Sequence, residues 1–181
     1  MKKEFCDLLK STQRRAVDNV IEQLESIGFF AAPASRKDHL GHEGGLMEHS
    51  LNVYRMAMAL ARDLHDLRPD IYFREDSIII TSLLHDICKA TRYRKNGQGE
   101  YEKNFSDFPA GHGEKSAIML LQWGMPLTEE EILAIRWHMG AWQLSLNNEE
   151  QQKDYVQATQ DYPLVTLIHT ADTLASKIIE K

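Results

Sequence analysis

The chain has 181 residues, 43% apolar and 27% charged, with a formal net charge of −6. That balance suits a globular domain with a sizeable core and lacks the basic excess that general nucleic-acid affinity requires. No uncharged run approaches the ~20 apolar residues of a membrane span, acids interrupt the basic start before a leader's apolar core can form, and Cys6 and Cys88 are too few for a disulfide framework. These features point to a reducing cytoplasm and a single domain over residues 1–181.

In chain order, Val17, Val20, Ile21, Leu24 and Ile27 fall at helical spacing, so residues 12–27 read as a scaffold helix stopped by Gly28. A turn-rich connector from Phe29 to Ser35 leads to His39 and His42, which read as surface or loop-packing histidines. A second helix is expected from about Glu43–Leu46 to Asp66, with Leu46, Val53, Met56, Ala57 and Leu60 as its stripe. His49 falls on that stripe, whereas His65, between Asp63 and Asp66, reads as solvated.

Within Ser77–Lys89, apolar residues fall on every side from Ile78 to Ile87, broken by two small hydroxyls and the pair His85-Asp86, so a helix ending around Lys89 is expected. Such a helix belongs at the centre of a bundle, where a buried histidine and carboxylate are costly without hydrogen bonds or a metal. After it, Thr91 to Asn104 reads as a loop or a small hairpin around Asn96-Gly97. The basic residues there read first as solvated surface, with Arg92 and the later Lys115 as candidate substrate contacts. The next helix opens near Gly111-His112 and closes at Trp123-Gly124, placing His112 in or beside a first turn. Thr128-Glu-Glu-Glu131 is a capping box opening a helix whose Ile132 and Ile135 put His138 on the apolar stripe. Residues 147–158 read as a short helix and loop. A last helix opens at Tyr162-Pro163, with Val165, Ile168, Ala175 and Ile179 as its stripe. Asp172 lies on that face, one turn after His169, which is placed to orient it.

Each of these polar residues alone has a structural explanation. Together, His49, His85, Asp86, His138 and Asp172 on core-facing positions, with His112 at a helix mouth, form a candidate metal site inside an all-α bundle. Nitrogen and carboxylate donors without thiolate suit a divalent transition metal, Mn, Fe, Zn, Co or Ni, with Mg possible.

The segments Gly44-Gly45-Leu46-Met47-Glu48-His49-Ser50 and Leu83-Leu84-His85-Asp86-Ile87-Cys88-Lys89, with His112, His138 and Ala171-Asp172, resemble the HD superfamily of metal-dependent phosphohydrolases. The likeness runs from about residue 40 to 177, leaving residues 1–40 as an N-terminal helix and connector and 41–177 as the core. It looks closest to small stand-alone bacterial members and is similar to the HD domain of the bacterial 3′-to-5′ exoribonuclease. The resemblance implies a first metal on His49, His85, Asp86 and Asp172. A second ion would sit on His112 and His138 with Asp86 bridging, so one or two ions are implied. Asp86 would orient the attacking hydroxide and Lys89 would contact substrate phosphate. Cys88 stands where many members have glycine and is expected to narrow the approach to the metal. A small phosphorylated substrate, a nucleotide or short oligonucleotide, is implied, with no membrane and no long nucleic acid. A di-iron oxygenase of the same superfamily and a non-enzymatic nucleotide-sensing module stand as alternatives. Nothing in the sequence specifies an oligomeric state.

Overall fold

A helix apolar on every side must be covered on every side. The structure, a computed structural model that describes residues 1–35, 40–98, 101–104, 111–144 and 147–181, is built around that demand. Its central helix, Glu75–Leu84, is buried at every residue from Ser77 to Leu84. In chain order the helices are α1 (Lys2–Ser11), α2 (Val17–Ser26), α3 (Gly45–Leu67), α4 (the central helix, Glu75–Leu84) and the short α5 (Lys89–Arg92). They continue with α6 (His112–Gln122), α7 (Glu129–Trp137), α8 (Glu149–Asp161) and α9 (Pro163–Leu174). α1, α3, α7 and α9 pack on α4, while α6 lies on α7 and α8 on α9. Thr81 survives in the core because its hydroxyl donates to the Ser77 carbonyl at 2.6 Å. The all-α expectation holds apart from one antiparallel hairpin, β1 (Tyr93–Lys95) and β2 (Tyr101–Lys103), in which Arg94 lies opposite Glu102. No helix among the described residues is long and apolar enough to cross a membrane. His39 lies outside the described residues.

Several boundaries differ from those expected, each for a local reason. The scaffold helix starts at Val17 and not near residue 12, because Gln13 and Ala16 adopt left-handed backbone angles (φ 52° and 68°). A separate helix, α1, precedes it. Its only fully buried side chains are Phe5 and Leu9, and Phe5 packs against Phe29 and Phe30 with ring centroids 5.3 and 5.6 Å away. The central helix stops at Leu84, short of the expected Lys89. Past His85 the backbone bonds shorten to i−3 reach, with Lys89 N–H on the Asp86 carbonyl at 2.9 Å and Ala90 N–H on the Ile87 carbonyl at 3.1 Å. Tightening of this kind is common where an α-helix ends.

Ile179, expected in the core, is 47% exposed. After α9 the chain makes a π-turn over Ala175–Ile179, closed by Glu180 N–H on the Ala175 carbonyl at 3.0 Å. The wider turn slips the inward position by one residue, so Glu180 and not Ile179 faces the interior.

The left-handed connector between α1 and α2 exists to deliver Arg14. Its guanidinium meets Asp76 at the start of α4 (2.8 Å), the fully buried Glu131 of α7 (2.6 Å) and the Pro126 carbonyl (3.1 Å). Glu131 also accepts from the Ser77 hydroxyl at 2.7 Å and closes the capping box by accepting from Thr128 N–H at 2.8 Å. Removing one partner of a buried pair leaves the other charge stranded, a loss on the order of 3–5 kcal/mol. Arg14→Ala is therefore expected to destabilise by about 3 kcal/mol or more in denaturant titrations. Adding Glu131→Gln should recover part of that loss. A cost of Arg14→Ala near zero would show that the network contributes nothing.

Candidate metal centre

Five elements deliver one polar cluster into the core. His49 comes from α3, His85 and Asp86 from the turn after α4, His112 from the first residue of α6, His138 from the end of α7 and Asp172 from α9. His49, His85, Asp86, His138 and Asp172 are all buried, and His112 is nearly so. α6 reaches α7 closely enough to join His112 to His138 because Gly113 has no side chain: a methyl group there would run into the Arg136 carbonyl. The imidazole rings form a chain, with centroids 5.3 Å apart for His49–His85, 4.7 Å for His85–His138 and 5.2 Å for His112–His138.

Asp86 sits in the middle. Its Oδ1 is 2.6 Å from His112 Nε2 and 3.3 Å from His138 Nε2, while its Oδ2 faces His85 Nε2 at 3.5 Å and His49 Nε2 at 3.7 Å. The Lys89 ammonium rests on the same Oδ2 at 2.5 Å. Asp172 Oδ1 lies 3.2 Å from His49 Nε2.

The far side of each ring fixes which nitrogen is available. His85 Nδ1 is 2.8 Å from the Ser82 carbonyl and His138 Nδ1 is 2.7 Å from the Ile135 carbonyl. A carbonyl can only accept, so both Nδ1 atoms carry hydrogen and both Nε2 atoms turn inward as lone-pair donors in the neutral ring. Among the described residues, His85 Nε2 and His138 Nε2 are buried without a hydrogen bond. So is Asp86 Oδ1, apart from its ionic contact to His112 Nε2 at 2.6 Å. An unsatisfied buried polar atom costs about 1–3 kcal/mol, and three converging on one point are explained by an ion that all of them face. Three overlapping triads, His49/His85/Asp172, His85/Asp86/His138 and Asp86/Cys88/His112, each bring their donor atoms within 4.8 Å of one another. The donors present therefore fit a divalent metal.

Electrostatics hold both carboxylates ionised and divide the histidines: burial opposes charge on all four rings and prevails at His85 and His112, whereas the Asp86 carboxylate outweighs it at His138 and raises that ring. Burial pushes the Asp86 carboxyl up, but the charges of Lys89, His112 and His85 outweigh it and hold it well below the carboxylate range. Asp172 is likewise held low against burial, by its hydrogen bond to His49 first. Burial lowers His85 and brings His112 down to about 4, states that favour a neutral ligating ring. Burial also opposes charge on His49, yet its hydrogen bonds to Asp172 and Glu180 lift it to about 9.

Two residues do other work than the sequence suggested. His169 donates Nδ1–H to the His138 carbonyl at 2.7 Å, so it steadies His138, and the contact to Asp172 comes from His49 instead. Lys115 is buried with its ammonium on Thr91 Oγ1 at 3.0 Å, facing α5. Arg92 is half-buried at the end of α5 and does not line the pocket described below. The Cys88 thiol turns to His112, 2.9 Å from its Nδ1 and 3.2 Å from its carbonyl, and thereby braces that ring. Burial and the Asp86 charge push this thiol up to about 12, so it stays protonated.

A cavity of about 270 Å³ opens beside the cluster, with Lys89, His138 and Asp172 in its wall and Trp142 and Lys177 toward its mouth. A larger open hollow of about 710 Å³ along α8 holds none of the cluster residues.

Glu180 was not foreseeable as part of the site. Its carboxylate is 1% exposed and accepts Nδ1–H of His49 at 3.0 and 3.1 Å, while Asn52 Nδ2 donates to it at 3.1 Å. No periodic signal marks it, because the π-turn alone brings it inward.

The HD domain family model matches residues 46–177 of the chain. The dihydroneopterin 2′,3′-cyclic phosphate phosphodiesterase of Methanocaldococcus jannaschii is 30% identical over 131 residues, covering 72% of this chain and 49% of that protein. The chain thus spans about half the length of the curated relative it matches. No solved structure matches it.

A carboxylate that holds the rear nitrogen of a metal-facing histidine raises that ligand's basicity, and its loss weakens metal affinity about 10–100-fold. Glu180→Ala is expected to release metal to a competing chelator at correspondingly lower concentration, with Glu180→Gln in between. Retention equal to the unaltered protein would remove Glu180 from the site.

Proposed function

The chain belongs to the HD-domain superfamily of metal-dependent phosphohydrolases, and from that premise we propose that its buried cluster hydrolyses a small phosphoester, either a nucleotide or a related cyclic phosphodiester. The observation that carries this reading is Asp86, a buried carboxylate whose two oxygens face different partners. Its Oδ2 looks toward His49 and His85, with Asp172 close by on His49, and its Oδ1 looks toward His112 and His138. That division supports two ions: His49, His85, Asp86 and Asp172 would hold one, and Asp86, His112 and His138 the other. When bound, the metal supplies Lewis-acid polarisation of the phosphoryl oxygens and a water whose pKa falls from ~15.7 toward ~7.

The remaining work falls to the protein. Asp86 orients the hydroxide donor from between the two histidine pairs. Lys89 shares the pocket wall with His138 and Asp172 and keeps its positive charge: burial opposes it, and Asp86 and Asp172 outweigh burial. An ammonium so placed stabilises negative charge that develops on a transferring phosphoryl group. The walls behind the cluster are apolar α4, α7 and α9, which exclude bulk water and strengthen every charge interaction inside. A cavity of about 270 Å³ suits a single small molecule and not a polymer. The name of the archaeal relative, a 2′,3′-cyclic phosphate phosphodiesterase, supports a phosphodiester of that size.

The test is a panel of nucleoside monophosphates, 2′,3′-cyclic nucleotides and bis(p-nitrophenyl) phosphate, supplied with manganese, iron, zinc, cobalt or nickel. Hydrolysis of at least one ester is expected, abolished by chelator. Asp86→Ala should lose both bound metal and turnover, by about 10³-fold or more, while helical circular dichroism is kept. Wild-type turnover in Asp86→Ala, or no ester cleaved under any metal, would overturn the proposal.

A further inference from the structure

The protein's three tryptophans sit in contrasting settings. Trp137 is fully buried against Tyr155, and Trp123 is half-buried, whereas Trp142 is 87% exposed. Trp142 also lines the cavity whose wall contains Lys89, His138 and Asp172. A large aromatic left uncovered is unremarkable on an ordinary surface, but this one is fixed at the opening of a polar site.

The fixation is specific. Trp142 rides on a 3₁₀ turn, Gly140–Gln143, that leaves the end of α7 immediately after His138 and Met139. Gly140 adopts φ +58° and lies flat against the His169 ring, where a methyl group would come within 2.5 Å of a ring carbon. His169 in turn donates to the His138 carbonyl at 2.7 Å. The same histidine therefore supports both a candidate metal ligand and the turn that carries the indole.

We propose that Trp142 is the specificity-determining residue of this pocket, stacking a planar heteroaromatic ring of a phosphoester whose phosphate end lies against Lys89 and the metal cluster. The proposal rests on the phosphohydrolase reading and adds which end of the substrate enters and what the other end must be. Polarity across the cavity agrees with that orientation. Lys89, His138 and Asp172 occupy the buried wall, and the exposed indole lies on the solvent side. Lys177, exposed on the same wall, adds a second positive charge beside a ligand that carries negative charge. Stacking suits the remaining part because an indole face presents an apolar, polarisable surface and few donors, so it recognises flatness more than a particular hydrogen-bond pattern. A nucleobase or another fused nitrogen heterocycle meets that description, whereas a bare sugar phosphate does not.

Two probes isolate the contact: adenosine 5′-monophosphate and ribose 5-phosphate, which share sugar and phosphate and differ by the base. Calorimetric binding to the metal-loaded protein, with hydrolysis of the same two compounds followed in parallel, gives the expected pattern. The unaltered protein binds the nucleotide more tightly. Trp142→Ala weakens nucleotide binding about tenfold or more, the size of one lost stacking contact, and leaves ribose 5-phosphate unchanged. Trp142→Phe retains most of the preference. Because the indole is exposed, the melting temperature of Trp142→Ala should match that of the unaltered protein, so the loss cannot come from misfolding. Equal weakening of both probes by Trp142→Ala, no weakening of either, or no binding of the nucleotide by the unaltered protein would each overturn the proposal. If phosphoesters are hydrolysed but the two probes respond alike, the stacking role fails and the phosphohydrolase reading stands. If nucleotide binding depends on Trp142 but no phosphoester is cleaved, the pocket assignment stands and the hydrolase reading fails.

Discussion

The whole arrangement depends on a carboxylate that should not be where it is. Asp86 is 1% exposed, at the end of the most apolar helix of the chain. An isolated carboxylate in that position would take up a proton or drive the helix out of the core. It stays ionised because several elements around it offer positive charge or a nitrogen donor: Lys89 from the start of α5, His49 from α3, His112 from α6 and His138 from α7. Three atoms of the cluster remain without hydrogen bonds among the described residues, and the convergence makes sense once a cation shares the space.

The rest of the fold reads as the means of getting those side chains to one point. α4 demands cover on all sides, and three of the helices that cover it, α3, α7 and α9, carry candidate ligands, while His112 comes from α6, which lies on α7. Local departures from regular helix then aim the side chains. Tight i−3 bonding after His85 turns adjacent residues toward the same centre, with His85 Nε2 and Asp86 Oδ2 3.5 Å apart. Gly113 permits the close approach of α6 to α7, and the π-turn after α9 rotates Glu180 onto His49. Helix irregularities of this type commonly mark functional sites. Here they fall beside the buried donors, while Arg14, Asp76 and Glu131 secure the opposite end of α4.

How much of this was legible in the sequence follows from the range over which each signal acts. His49, His138 and Asp172 could be read as core-facing because regular α-helix carries their apolar neighbours at fixed spacing, and the buried positions agree. The capping box of Thr128 and Glu131 is local chemistry and was visible, whereas the hairpin was only one of two readings, loop or hairpin, that Thr91 to Asn104 allowed. α1 was not, since a single i, i+4 pair, Phe5 and Leu9, is too little pattern against so many charges. Arg14 and Glu131 could not be paired because their contact spans distant segments, and nothing about either residue alone predicts burial. Ile179 lost its expected core place and Glu180 took it because a π-turn changes the helical phase, which composition does not reveal. The setting of Trp142 depends on the tertiary contact between Gly140 and His169, so the sequence showed a tryptophan but not its place at the pocket mouth.

The central claim is that metal bound at the Asp86 cluster would tie α3, the end of α4 and α9 together through one ligand set and α6 and α7 through the other, so that metal is part of what holds the helices together. Thermal unfolding, followed by circular dichroism on protein loaded with metal and on protein stripped by chelator and verified metal-free by elemental analysis, tests it most directly. Binding at about 100 times the dissociation constant adds about 2.7 kcal/mol, which for a chain of this size corresponds to a rise of about 5 °C or more in Tm. The account predicts a lower Tm for the stripped protein, restored when the metal is returned. Identical transitions for the loaded and verified metal-free protein would contradict it.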